Sequence, residues 1–227
     1  MQIQKHVPNT ITLLNLLCGC IALVFVSKAD FMSGFAFVCL GIFLDFFDGF
    51  FARLFKVSSP LGLQLDSLAD MVTSGVVPGY VMYLMLDRLT DNPYLPFVGF
   101  AITLGACYRL ANFNIDTRQS DSFIGLPTPA NALFFLSLPL VPEFELLQSI
   151  PFLVVLSLLS AFVMNAEIPL FSLKIKKFNF KDNLLQIVFL TLSLLLLVVF
   201  RFLGISLIIV MYVLLSVINN TVLKSKS

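Results

Sequence analysis

Apolar residues run in long blocks along almost the whole chain, and polar residues gather in the short breaks between them. A hydrocarbon core about 30 Å thick is crossed by roughly 20 apolar residues in helix. Blocks at 8–27, 31–55, 61–86, 95–115, 126–141, 148–166, 184–200 and 202–222 reach or approach that length. The pattern predicts an all-α polytopic membrane helix bundle with about eight transmembrane helices. The breaks carry turn chemistry: "SSP" (58–60), "DRLTDNPY" (87–94), "VPEFE" (141–145) and the strongly polar "KIKKFNFKDN" (174–183). The joins at 141–148 and 200–202 are short. There is no internal repeat and no low-complexity tail, so residues 1–227 are expected to form one integral membrane domain.

Composition agrees with the pattern. The 227 residues are 59% hydrophobic and only 12% charged, against roughly 25% charged in soluble domains. Mean hydropathy is +0.98. A net charge of +1 gives no reason to expect a nucleic-acid partner. The first apolar block is too long for the core of a signal peptide, so cleavage there is not expected. Cys18, Cys20, Cys39 and Cys107 lie inside apolar runs without zinc or redox spacing, and are expected to be small apolar side chains. His6 is the only histidine, which excludes a mechanism needing two from one chain.

The placement of the cations sets an orientation. With a cytoplasmic N-terminus and eight alternating spans, Lys5, Arg53, Lys56, Arg118, Lys174, Lys176, Lys177, Lys181, Lys224 and Lys226 fall inside. Lys28, Arg88 and Arg201 fall outside, and Arg109 lies within the fourth span. This bias places both termini and the 56–60 turn in the cytoplasm. The basic loop 174–181 is a stop-transfer signal or a contact for anionic headgroups.

Against that background, four carboxylates sit where lipid-facing residues are expected. Asp45 and Asp48 are three apart on the second span, and Asp66 and Asp70 are four apart on the third. Each pair shares one helix face. A short turn near residue 57 makes the two helices antiparallel and sets Asp48 level with Asp66, and Asp45 level with Asp70. Helical rise puts the four roughly 10–15 Å below the cytoplasmic end. Such a cluster repels itself and is costly in a membrane, and Arg53 supplies a single positive charge. Divalent cations would offset it. All-oxygen ligands favour Mg²⁺, Mn²⁺ or Ca²⁺ over zinc, and two-metal sites suit phosphoryl displacement. Gly49, Ala52 and Gly62 lie on the acidic faces, where small residues let helices or a ligand approach closely.

The full string Asp45-x2-Asp48-Gly49-x2-Ala52-Arg53-x8-Gly62-x3-Asp66-x3-Asp70 resembles the signature of the CDP-alcohol phosphatidyltransferases, with every position filled. The resemblance implies a six-helix core (about 8–166) with additional spans (about 184–222), usually as a homodimer. It implies a divalent-metal site at the cytoplasmic membrane surface, holding Mg²⁺ or Mn²⁺, with Ca²⁺ as a non-productive occupant. Asp45, Asp48, Asp66 and Asp70 would hold two ions, and Asp70 would also be the general base. Gly49, Ala52, Arg53 and Gly62 would line the CDP pocket.

"PNTITLLNLLCG" (8–19), "LDSLADMVTSGVVPGYVMY" (65–83), "YRLANFN" (108–114) and "FIGLPTPANA" (123–132) are similar to the serine-accepting branch of that family in bacteria and archaea. That branch implies CDP-diacylglycerol and L-serine as substrates, in a prokaryotic cytoplasmic membrane. One departure is Asn112, at a position often basic in the branch. Asn9 and Thr12, at the start of the first span, are expected to help hold the cytidine end. Asn9 also suits a helix cap, and Asn15 is a costly polar group two turns in. Arg109 suits two-point binding of the serine carboxylate, or else pairs with a family aspartate or snorkels to the interface. Asn112, Asn114 and Asn131 are candidate acceptor contacts; Pro127 and Pro129 are explained by a helix start. The rivals are a sister enzyme with another acceptor, such as glycerol 3-phosphate or an inositol phosphate, and a cation transporter, which would be expected to spread its acidic groups over several spans.

Overall fold

A computed structural model describes residues 2–57, 59–116, 124–141, 143–171 and 183–224. The side chains of residues 2–5 and 221–224, and the basic loop 174–181, lie outside the described residues. The helices are α1 (Gln2–Ser27), α2 (Phe31–Phe55), α3 (Pro60–Asp87), α4 (Ala101–Ile115), α5 (Thr128–Ser137), α6 (Ile150–Asn165), α7 (Leu184–Phe200) and α8 (Phe202–Lys224). The chain is thus a polytopic membrane helix bundle. Residues 6–27 of α1, together with α2, α3 and residues 202–220 of α8, are long and apolar enough to cross a membrane. Three shorter apolar helices, Thr128–Leu140, Ile150–Asn165 and Leu184–Phe200, accompany them.

The boundaries follow local chemistry. α1 begins at Gln2, before the expected start at residue 8, with Pro8 and Asn9 inside the helix, so Asn9 is not its cap. Asp30 caps α2 by accepting from the Ser33 N–H at 3.0 Å. These backbone and hydroxyl donors hold its exposed carboxyl below the ordinary range. Lys56 ends α2 in the left-handed conformation, φ 53°, and its N–H reaches the Ala52 and Arg53 carbonyls. Ser59 then caps α3, accepting from Gly62 N–H at 3.0 Å, with Pro60 in the first turn. This tight stop and restart makes α2 and α3 a hairpin.

α3 is not a uniform α-helix. Residues Met71–Val76 form a π-helical segment directly after Asp70. Pro78 accounts for it: the ring lacks an N–H for the Ser74 carbonyl and presses against it, so the preceding turn widens. Neighbours stabilise the widened turn. Thr103 donates to the Gly75 carbonyl at 3.0 Å, and Thr73 donates to the Asn15 carbonyl at 3.2 Å.

The apolar core includes Val26, Val38, Val77, Val81, Met82, Leu86, Ile102, Phe135 and Leu153. It sits away from the acidic end of the α2–α3 hairpin. Phe43, Phe46 and Phe50 of α2 stay largely exposed, as lipid-facing residues do. Small residues set the close crossings. A Cβ on Gly41 would lie 2.8 Å from both Asn15 and Thr73 side-chain atoms, so α1, α2 and α3 meet there without side-chain spacing. At the α4–α6 crossing, a Cβ on Gly105 would lie 2.8 Å from the Ala161 Cα. Gly105→Leu should therefore destabilise the protein by roughly 1–3 kcal/mol through overpacking. Thermal unfolding of the purified protein in detergent checks this, and an unchanged midpoint would contradict the close crossing.

Candidate active site

The hairpin register brings the carboxylates together. One oxygen each from Asp45, Asp48 and Asp66 lies within 4.8 Å of the others. Asp70 stands just outside this trio, 8% exposed, one helical turn beyond Asp66. Two cavities flank the cluster. The first, about 310 Å³, is lined by Asp48 and Asp66 with Asn9, Thr12, Gly49, Ala52, Arg53 and Gly62. The second, about 210 Å³, is lined by Asp45, Asp66 and Asp70 with Ser67, Arg109 and Thr128. Asp48 thus shares a cavity with Asp66, and Asp45 shares one with Asp70, as the antiparallel register predicts. Asp66 belongs to both.

Hydrogen bonds fix two of the acids from α1. Thr12 donates its hydroxyl to Asp48 Oδ2. Asn15 Nδ2 donates to Asp70 Oδ1 at 3.2 Å. Thr12 therefore lines the first cavity with its hydroxyl turned to a carboxylate. Asn15, Ser67 and Thr73 were not singled out as site residues by sequence reasoning. The cost of a fully buried asparagine two turns into a span was the available signal for Asn15. Nothing local marks Ser67 or Thr73.

The cluster has the chemistry of a divalent-cation site. Asp45 Oδ1 is buried with no hydrogen-bond partner. Asp45, Asp48 and Asp66 each place an oxygen close to those of the others, so the cluster carries like charges at close range. Oxygen ligands, mutual repulsion and an orphaned carboxylate oxygen fit a hard cation.

The first cavity brings together all six residues expected on the CDP side. A Cβ on Gly49 would lie 3.6 Å from Arg53 Nη1, so the exposed guanidinium lies along that small surface. A Cβ on Gly62 would come within 3.2 Å of Asn9 Oδ1.

The acceptor candidates divide. Arg109 is 7% exposed and lines the second cavity. Among the described residues it pairs with no aspartate, and it does not snorkel: Nη1 donates to the Ile124 carbonyl at 2.8 Å and the Met164 carbonyl at 2.6 Å. Asn114 reaches the cavity wall indirectly, donating to Ser67 Oγ at 2.9 Å. Asn112 is exposed and does not line the cavity, because it falls on the outer side of α4. Asn131 is also placed elsewhere. It is 1% exposed, accepts from Ser160 at 2.7 Å, and borders an apolar cavity between α5, α6 and α8.

Fold and site together describe a membrane helix bundle with an all-oxygen carboxylate centre that could hold a metal ion. The family profile for CDP-alcohol phosphatidyltransferase matches residues 5–218, and the chain belongs to that family. Its relatives include the CDP-diacylglycerol–serine O-phosphatidyltransferase of Bacillus subtilis (strain 168). That protein is 38% identical over 130 residues, covering 56% of this chain and 71% of the relative. The protein of the same name from Helicobacter pylori (strain ATCC 700392 / 26695) is 33% identical over 194 residues, covering 82% and 80%. The one from Methanocaldococcus jannaschii is 33% identical over 127 residues, covering 56% and 57%.

The loop that receives Arg109 has little freedom. Gly125 has φ 74°, and a Cβ there would lie 2.4 Å from the Met164 carbonyl oxygen and 2.8 Å from Arg109 Nη1. Gly125→Ala should cost roughly 1–3 kcal/mol from backbone strain alone. A lowered thermal midpoint checks this; wild-type stability would contradict the geometry.

Proposed function

We propose that this chain transfers the phosphatidyl group of CDP-diacylglycerol to the hydroxyl of L-serine, giving phosphatidylserine and CMP. The observation that carries this reading is the pair of cavities meeting at Asp66, one suited to the nucleotide diphosphate and the other holding Asp70 and Arg109. The serine acceptor draws further support from the names of the relatives. The enzyme would lie in a prokaryotic cytoplasmic membrane with its site and both termini on the cytoplasmic side, following the distribution of Lys and Arg. A homodimer, as in the family, is part of the same reading.

Asp45, Asp48, Asp66 and Asp70 would hold the divalent ions, Mg²⁺ or Mn²⁺. When bound, these ions supply charge neutralisation for the diphosphate and the departing CMP. The rest falls to the chain. Gly49, Ala52 and Gly62 leave room for the donor, and Arg53 and Asn9 offer donors at its polar end. Arg109 holds the serine carboxylate. Asp70, oriented by Asn15, takes the proton from the serine hydroxyl. The serine oxygen bonds to the lipid-side phosphorus, and the bond from that phosphorus to the bridging oxygen breaks with its electron pair leaving on CMP. The reaction is one displacement, driven by positioning and electrostatics. An acceptor carrying its own phosphate is a poorer match, since Arg109 is the one cation among the described residues lining the second cavity.

Purified protein with CDP-diacylglycerol, Mn²⁺ and labelled serine should release CMP and form labelled phosphatidylserine. Release only with another alcohol would assign a different acceptor. Asp70→Asn should abolish turnover while sparing CDP-diacylglycerol binding, and near-normal turnover would remove Asp70 as base. Arg109→Lys should raise the serine KM about tenfold or more, the worth of a charged hydrogen bond, and leave the donor KM unchanged. In Mn²⁺ titrations followed by electron paramagnetic resonance, Asp66→Asn should weaken binding by at least about tenfold; unchanged affinity would place the ion elsewhere.

A further inference from the structure

We propose that Tyr212 and Asn220 of α8 are positioning residues for the acceptor cavity, acting on Arg109 through the backbone segments 163–171 and 124–126. The proposal rests on the reading of Arg109 as the acceptor's carboxylate partner, and it gives the last two spans a task in the reaction.

The connection is a continuous series of hydrogen bonds. Asn220 Nδ2 donates to the Pro169 carbonyl at 2.7 Å. The Tyr212 hydroxyl donates to the Phe171 carbonyl at 2.9 Å, and the Phe171 N–H donates to Ser216 Oγ at 3.3 Å. Three points on one face of α8 thus hold residues 169–171. Pro169 forms an isolated antiparallel bridge with Ile124. Gly125 N–H donates to the Ile168 carbonyl at 2.9 Å, and Leu126 N–H to the Val163 carbonyl at 3.2 Å. The carbonyls of Ile124 and Met164 then receive Arg109 Nη1. Both acceptors of the guanidinium therefore belong to the backbone unit that α8 holds.

Packing reinforces the same unit. The rings of Phe171, Phe189 and Tyr212 form a triangle with centroids 4.9–5.5 Å apart. Phe189 is the buried side chain that α7 contributes. The tight fit at Gly125 leaves the Arg109 carbonyl cradle little slack. A shift of Pro169 is passed to Ile124 rather than absorbed.

General attachment of α8 to the bundle is a separate matter. Nearer the other end of α8, Ser206 contacts Ser137 of α5 at 2.6 Å, remote from the cavity. This contact supplies a control.

The test uses the full chain in lipid nanodiscs. It measures serine KM, CDP-diacylglycerol KM, kcat and thermal midpoint for Tyr212→Phe, Asn220→Ala, the double variant, Ser206→Ala and Arg109→Lys. Tyr212→Phe keeps the ring and removes only the hydroxyl. We expect each single variant to raise the serine KM about fivefold, the worth of one hydrogen bond. The double variant should raise it further, with donor KM and kcat within about twofold of wild type. Ser206→Ala should lower the thermal midpoint without moving the serine KM. A lowered midpoint with unchanged serine KM in Tyr212→Phe and Asn220→Ala would reduce these residues to anchors and overturn the proposal. If Arg109→Lys itself leaves the serine KM unchanged, the acceptor reading fails instead. If the double variant does not fold, Tyr212→Phe alone decides.

Discussion

Three carboxylates held within 4.8 Å of one another inside a membrane bundle are the constraint on which the rest of the structure depends. Like charges in a medium of low polarisability repel strongly and are poorly solvated. The protein answers with neutral dipoles at the edges and leaves the centre of charge open. Thr12 and Asn15 each occupy one side of an aspartate, which fixes direction without cancelling charge. Lysine or arginine in those places would have satisfied the acids and removed their affinity for a divalent ion. The same economy explains why the α2–α3 turn must be short. A longer turn would let the two acidic faces slide past one another.

Backbone irregularity supports this arrangement. Pro78 widens the turn immediately beyond Asp70, and the widened turn offers Thr73 to α1 and the Gly75 carbonyl to Thr103. Asp70 therefore stands at the junction of a regular α-helix and a π turn, pinned on both sides of α3. Gly41 removes the bulk that would separate Asn15 from Thr73. The helix that carries the proposed base is thus clamped within one turn of it.

What was legible in the sequence divides along these lines. The acidic hairpin was visible because its residues are local: helical spacing and one short turn determine which faces meet. The apolar blocks were visible because bilayer thickness sets the length of a crossing helix, although among the described residues only four helices reach that length. The fractured nature of the third span was not anticipated, although Pro78 was present to cause it. The acceptor side was less legible because it is assembled from distant segments. Arg109 could be singled out as a lone cation in an apolar span, but its partners are backbone carbonyls at 124 and 164, which no side-chain pattern encodes. Asn112 and Asn131 looked comparable with Asn114 in sequence, but Asn112 lies on a different side of the same helix and Asn131 on another helix beside a different cavity.

The choice of carbonyl partners for Arg109 bears on the acceptor. A carbonyl fixes a guanidinium by dipole and leaves its full positive charge in place, whereas a carboxylate would neutralise it. The second cavity is consequently lined by one cation, Arg109, together with Asp45, Asp66 and Asp70. On the proposed function, that one cation would suit the carboxylate of a small zwitterion, while the acids would be engaged with the divalent ions. An acceptor bearing a phosphate would bring two negative charges toward three carboxylates and meet one arginine. Its own anion would then compete with the diphosphate for any cation held there. On the proposed function, the lack of an aspartate partner for Arg109 among the described residues would therefore favour an amino-acid alcohol over a phosphorylated one.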